Sequence, residues 1–149
     1  MAIKITFLGA GSSVFVRNVL GDCIIHPELE DLTFALYDID AQRLEDSYLM
    51  LHAICAHYGK SVKMEKYVGV EELPQALTGA NFLICAIQVG GYDPCTISDF
   101  EIPKKYGLRQ TIADTLGVGG VFRALRTIPV LEMFGKMAEK YCPNAVFLN

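Results

Sequence analysis

Two glycines one residue apart, Gly9 and Gly11, close a short apolar run in the segment IKITFLGAGSS from Ile3 to Ser13. Glycines at that spacing, between an apolar strand and a helix, leave backbone N–H groups bare at a helix N-terminus, where a pyrophosphate can bind. Gly9 is expected to let the chain turn tightly, and Gly11 to let the backbone approach phosphates with no Cβ in the way. Ser12 and Ser13 follow at the expected helix start. Where G-x-G-x-x-G would place its third glycine the chain has Val14, so a strand-to-helix turn that binds nothing stays open on these residues alone. Asp38 adds to them, because it ends a second apolar segment, LTFALYD. An acidic residue at that place in a βαβ unit accepts hydrogen bonds from the ribose hydroxyls of a dinucleotide. It lies further from the glycines than the usual ~20 residues, and the extra length is the loop from His26 to Asp31. A carboxylate there repels a 2′-phosphate, and no arginine follows directly, so NAD is expected rather than NADP.

The residues that could hold a metal do not converge. Five cysteines, at 23, 55, 85, 95 and 142, include no C-x-x-C pair, and no ligand is assigned to a metal. His52 and His57 are spaced to point to different sides of one helix, and His26 stands before a proline in a turn. An odd set of unpaired cysteines fits reduced thiols and a cytoplasmic location, and Met1-Ala2-Ile3-Lys4 lacks the opening of a signal peptide. Net charge is −4 with Lys and Arg scattered, so no nucleic-acid partner is expected. No apolar run reaches the ~20 residues that span a bilayer, so no membrane is expected either. A small-molecule partner remains.

The elements that would position the glycines and Asp38 follow from periodicity. Val14, Phe15, Val19 and Leu20 predict a first helix packed on a sheet and closed by His26-Pro27. Asp40, before Ala41-Gln42-Arg43, is the predicted N-cap of a second helix. That helix carries Leu44, Tyr48, Leu51, Cys55 and Tyr58 on its core side and stops at Gly59. Val62 to Val68 alternates as a half-open strand, Glu71 to Leu77 is a short helix, and the continuous apolar run Ala80 to Ile87 predicts a strand buried on both faces. The alternation β-α-β-α-β-α-β implies an α/β fold with a Rossmann-like, doubly wound parallel sheet that binds ligands at the carboxyl ends of its strands. Beyond Gln88 a Gly90-Gly91 loop, a helix over Ile97 to Tyr106 and an irregular TIADTLGVGG stretch are expected. Val121, Leu125, Ile128, Phe134, Met137 and Tyr141 then mark a long helix kinked or divided at Pro129, and Ala145 to Asn149 begins another strand. Residues 1–149 read as one domain, the NAD-binding part of a larger protein cut in mid-domain.

Four segments, KITFLGAGSSVFVRNVLGD, LYDIDAQRLEDS, IQVGGYDPCTISDFEIPKKYGLRQTIADTLGVGGVFRALRTIP and PNAVFLN, together resemble the NAD- and manganese-dependent family 4 glycoside hydrolases, and within them the α-galactosidases of the melibiase type. That resemblance implies NAD, Mn2+ or another divalent metal in the complete enzyme, and an α-galactoside substrate; a homo-oligomer, dimer or tetramer, is expected. It implies a chemistry in which the cofactor oxidises the C3 hydroxyl of the sugar and the ketone acidifies the C2 proton. A base removes that proton while the metal polarises the oxygens, the glycosidic oxygen leaves, water adds at C1 and the hydride returns to C3. The family stands outside the two-carboxylate scheme of other glycosidases.

By residue, the resemblance carries Gly9, Gly11, Ser12 and Ser13 to the pyrophosphate turn and Asp38 to the ribose. It carries the loop from Ile87 to Gly91, with Ile87 and Gly90, to the nicotinamide side. Asn149 would approach the sugar, and Asp114 and Arg123 would line its pocket; the alternatives are a strand-end cap for the first and helix-start electrostatics for the other two. The metal-binding cysteine and histidine and the catalytic base are expected beyond Asn149, with Cys95 and Cys142 no substitutes, so the 149-residue segment alone is expected to be inactive. Two other readings stay open. One is a 2-hydroxy acid dehydrogenase of the malate or lactate type, which would carry an arginine soon after strand four, where this chain has GGYDPCT and no arginine before Arg109. The other is an NAD-binding segment without catalysis.

Overall fold

Five strands, β1 (Ile3–Leu8), β2 (Leu32–Asp38), β3 (Lys63–Val68), β4 (Phe82–Cys85) and β5 (Val146–Leu148), pair in parallel in the order β3-β2-β1-β4-β5 in a computed structural model that describes residues 2–111 and 117–149. From β1 the chain winds outward to β2 and β3, then returns past β1 to β4 and β5. The strand order therefore reverses between β1 and β4, which makes the carboxyl end of that pair the switch point of a doubly wound sheet. The chain forms two units by its internal contacts, Met1–Ile87 with Met137–Asn149, and Gln88–Lys136.

In the first unit, helices α1 (Ser13–Ile25) and α2 (Ala41–Tyr58) make the crossovers on one face, and α3 (Leu73–Leu77), entered through a 3₁₀ turn at Val70–Glu72, makes the third. Successive strand residues point to opposite faces, so Ile5 and Phe7 of β1 share a face with their register partners Phe34 and Leu36 of β2. Val16, Leu20 and Ile24 of α1 and Leu44, Leu51 and Cys55 of α2 close that core. Thr6 is fully buried, and its hydroxyl donates to the carbonyl of Ala76 at 2.8 Å, which ties α3 to β1.

Three expectations from periodicity are corrected. The row of α1 that packs is Val16, Leu20, Ile24, while Val14 and Phe15 are 67% and 55% exposed. At about 100° per residue, Val14 lies roughly opposite Val16 around the helix, so only one of the two can face the sheet. Tyr58 is exposed because it is the last residue of α2, before Gly59 in the left-handed conformation, whereas Tyr48 is partly buried against the core. β4 is shorter than its apolar run: its ladder with β1 ends at the pair Leu8↔Cys85, where β1 itself stops for the glycine turn, and of its residues Leu83 alone is fully buried.

In the second unit the Gly90-Gly91 stretch opens a wide helical turn, Gly91–Thr96, where a loop was expected, followed by α4 (Ile97–Lys105) and by α5 (Gly117–Tyr141), whose residues from Met137 belong to the first unit. α5 runs through Pro129 as one helix. The missing amide removes the partner that the Leu125 carbonyl would have within the helix, and both residues lie on the exposed side of α5. Among the described residues no helix is long and apolar enough to cross a membrane.

Candidate functional site

The carboxyl ends of β1, β2 and β4 bring together Gly9, Gly11, Ser12, Ser13, Asp38 and Ile87. β1 ends at Leu8 and the chain reverses at Gly9, whose φ of 91° only glycine adopts without strain. The amides of Gly9 and Ala10 both donate to the Tyr37 carbonyl at 2.9 Å, and those of Ser12 and Ser13 donate to the carbonyls of Gly9 and Gly11, each at 3.1 Å. The turn is thus fastened to the end of β2 and to itself. A Cβ on Gly9 would stand 2.7 Å from the Ala86 carbonyl oxygen and 3.1 Å from Ile87 Cγ2, so this glycine is required by the close passage of the chain leaving β4.

Asp38 completes the arrangement from β2. The Gly11 amide donates to its Oδ2 at 2.6 Å and the Asp40 amide to its Oδ1 at 3.0 Å. Bonds of this kind to a carboxylate are stronger than neutral ones, and a carboxylate has further lone pairs for a ligand's hydroxyls. A Cβ on Gly11 would lie 2.8 Å from Asp38 Oδ2 and 3.0 Å from Arg43 Cβ. A side chain added there runs into Asp38, a protein group, and this corrects the expectation that it would point only toward bound phosphates. Asp40 caps α2 as predicted, its Oδ1 accepting from the amides of Gln42 at 3.0 Å and Arg43 at 3.1 Å. Arg43 thereby stands beside the glycine turn, a neighbour that the spacing in sequence does not reveal.

Ser12 is the N-cap of α1 yet its side chain makes no bond to the first-turn amides, and that turn carries no acidic residue. The first-turn amides of α1 thus have no side-chain cap from Ser12, and the negative charge beside this helix end is the Asp38 carboxylate at the Gly11 amide. Burial, with Asp38 and Glu71 adding to it, pushes the Tyr37 hydroxyl up, and burial likewise pushes the Cys85 thiol up, so both are neutral near pH 7 and neither is a nucleophile at this edge.

The remaining candidates lie elsewhere. Gly90, with φ of 87°, and Arg123, partly buried on α5, belong to the second unit. Asn149 is exposed, next after β5. Asp114 lies outside the described residues. Among the described residues no three His, Cys, Asp or Glu side chains gather as a metal site, and all five cysteines are free. Sequence reasoning missed the pair formed by Asp99, 2% exposed, and Arg126, which meet through bonds of 2.8 and 2.6 Å in the second unit. No local pattern marks two residues on different helices as partners.

The fold and the turn are those of Rossmann-like nucleotide-binding proteins. Residues 4–149 match the model of the family 4 glycosyl hydrolases, and the chain belongs to that family. It is 56% identical over 146 residues to the alpha-galactosidase of Bacillus subtilis (strain 168), which covers 98% of this chain and 33% of that protein. It is 34% identical over 148 residues to the alpha-galacturonidase of Thermoanaerobacter italicus (strain DSM 9252 / Ab9), covering 99% and 30%. The chain spans about one third of the length of each of these relatives. Among solved structures, the 6-phospho-beta glucosidase of Thermotoga maritima with manganese, NAD+ and glucose-6-phosphate superposes with a TM-score of 0.80 at 26% identity, covering 97% of this chain and 33% of that one. The lactate dehydrogenase of Eimeria maxima shares the fold alone, with a TM-score of 0.64 at 15% identity over 99% of this chain and 35% of that one.

Proposed function

We propose that this chain is the NAD-binding part of a family 4 glycoside hydrolase that acts on α-galactosides in the cytoplasm as a homo-oligomer. The observation that carries the cofactor reading is the pair of bonds by which Asp38 holds Gly11 and Asp40 at the switch point, beside an uncapped helix terminus. This arrangement fits a dinucleotide: the first-turn amides of α1, with Ser12 and Ser13, receive the pyrophosphate, and the free lone pairs of Asp38 receive the ribose diol. Asp38 keeps the turn in the binding conformation before the ligand arrives, which lowers the ordering cost of binding. When bound, NAD supplies reversible oxidation at C3 of the sugar, which makes the C2 proton removable.

Ile87 and Gly90 are assigned to the nicotinamide side, and Asp114, Arg123 and Asn149 to the sugar. The identity to the Bacillus subtilis alpha-galactosidase supports the choice of galactoside over the other sugars named among the relatives. A divalent metal, Mn2+ in the first instance, belongs to the complete enzyme, and no step is assigned to it through the residues described. The dehydrogenase reading rests on shared fold only. The test is turnover of an α-galactoside by the complete enzyme stripped of nucleotide: activity returns on adding NAD, with no net NADH formed, whereas activity indifferent to NAD overturns the proposal.

A further inference from the structure

Directly after β4 the chain makes a turn, Gln88 to Gly91, whose shape is fixed by side chains arriving from later in the sequence. Gly90 has φ of 87°, and a Cβ built on it would fall inside contact distance of Cys95 Sγ, 2.8 Å from Cys95 Cβ and 3.4 Å from Arg126 Nε. The Gly90 backbone therefore rests on the Cys95 side chain with the Arg126 guanidinium next to it. Arg126 is held in turn. Its Nη1 donates to Asp99 Oδ1 at 2.8 Å and its Nη2 to Asp99 Oδ2 at 2.6 Å, a two-bond fork that fixes the plane as well as the position of the guanidinium. Asp99 is 2% exposed and its charge is met by this partner, and Arg126 Nε is buried with no hydrogen-bond partner among the described residues, on the side where Gly90 lies. From the other end, Gln88 Nε2 donates to Thr96 Oγ1 at 2.9 Å and Thr96 Oγ1 donates to the Gly91 carbonyl at 3.3 Å.

A buried ionic fork is a costly way to join two helices. Here its free edge is spent against a glycine turn. We infer that Asp99 and Arg126 are positioning residues: acting through Cys95 and Gly90, they hold the turn after β4 in the conformation that orients the cofactor for hydride transfer. The inference rests on the reading that this turn meets the nicotinamide half of NAD. A displacement of reacting groups by ~1 Å costs up to about a hundredfold in rate, so a strut behind the turn affects the chemical step more than the affinity, which the glycine turn and Asp38 supply.

The variant is Arg126→Lys, which keeps the charge and removes the fork. Two readouts apply. In the protein without nucleotide, amide hydrogen exchange at Val89, Gly90 and Gly91 is expected to speed up while β1 and β2 keep their protection. In the complete enzyme with saturating NAD and galactoside, kcat is expected to fall roughly tenfold with KM for NAD unchanged within about twofold, and the isotope effect from deuterium at C3 of the substrate is expected to rise. Unchanged exchange at the turn overturns the inference. So does faster exchange with kcat unaltered, or a loss of NAD affinity that parallels a fall in melting temperature, since either describes a structural tie only. Should Arg126→Lys fail to fold, Cys95→Ala leaves the fork intact and removes the sulfur under Gly90, with the same expectations. Failure of the functional reading shows separately, in the unsubstituted enzyme, as turnover that needs no NAD.

Discussion

Asp38 is assigned two tasks that a single substitution removes together. Its carboxylate accepts from the amides of Gly11 and Asp40, and its remaining lone pairs are those proposed for the ribose diol. Asp38→Ala strips both amides of their acceptor and is expected to weaken NAD binding by roughly 1.5–3 kcal/mol, the worth of a hydrogen bond to a charged group, with a lowered melting temperature as well; unchanged affinity in a calorimetric titration would refute the ribose assignment. Gly11→Val should lower both affinity and melting temperature, because its first carbon already meets Asp38 Oδ2 at 2.8 Å before any ligand binds. A fold of undiminished stability in that variant would contradict the contact. Ser47 on α2 gives the opposite case. It is fully buried and its hydroxyl has no partner among the described residues, so Ser47→Ala should leave stability unchanged or raise it by up to about 1 kcal/mol, read from thermal unfolding.

At the scale of elements, β3 carries a titration that tests its packing. Burial chiefly, and then the bond from its hydroxyl to Glu65 Oε2 at 2.9 Å, pushes Tyr67 up to about 12. A tyrosine in the unfolded chain titrates near ~10, so the folded form holds its proton longer. The stability linked to it is whole below pH ~10 and is lost as pH rises through the folded value. Lys4, pushed down chiefly by burial, acts in the opposite sense, but its gain in stability comes as pH rises from its lowered folded value to the ordinary lysine value near ~10.4, so it is nearly complete where Tyr67 begins to lose its contribution. The measurement is therefore the difference between unsubstituted and Tyr67→Phe proteins: their stabilities should converge between about pH 10 and 12, and a constant gap across that range would contradict the bond. What the sequence made legible at this scale was whatever local chemistry decides. Asp40 caps α2 because an Asp side chain reaches the amides two and three residues on, and Gly59 stops that helix because it adopts a positive φ. The phase of α1 was illegible, since Val14, Val16 and Leu20 are all apolar and only the sheet beneath chooses among them. The Asp99–Arg126 fork was illegible for a similar reason, as each residue alone has the pattern of a solvated helix face.

In the molecule as a whole, strand order sets the site before any side chain does. The reversal between β1 and β4 opens the crevice, and Gly9, Asp38 and the chain leaving β4 converge on it because all three follow the carboxyl ends of adjacent strands. That much of the site could be read from a glycine turn, an acidic strand end and an alternation of elements. The chemistry proposed for the complete enzyme differs from that of a two-carboxylate glycosidase in a single observable: it removes the proton at C2 of the sugar, which the other route never touches. The most direct measurement is the position of label in galactose released from an α-galactoside by the complete enzyme, with NAD and Mn2+, in heavy water. The account predicts deuterium at C2, and galactose released with hydrogen retained at C2 would contradict it.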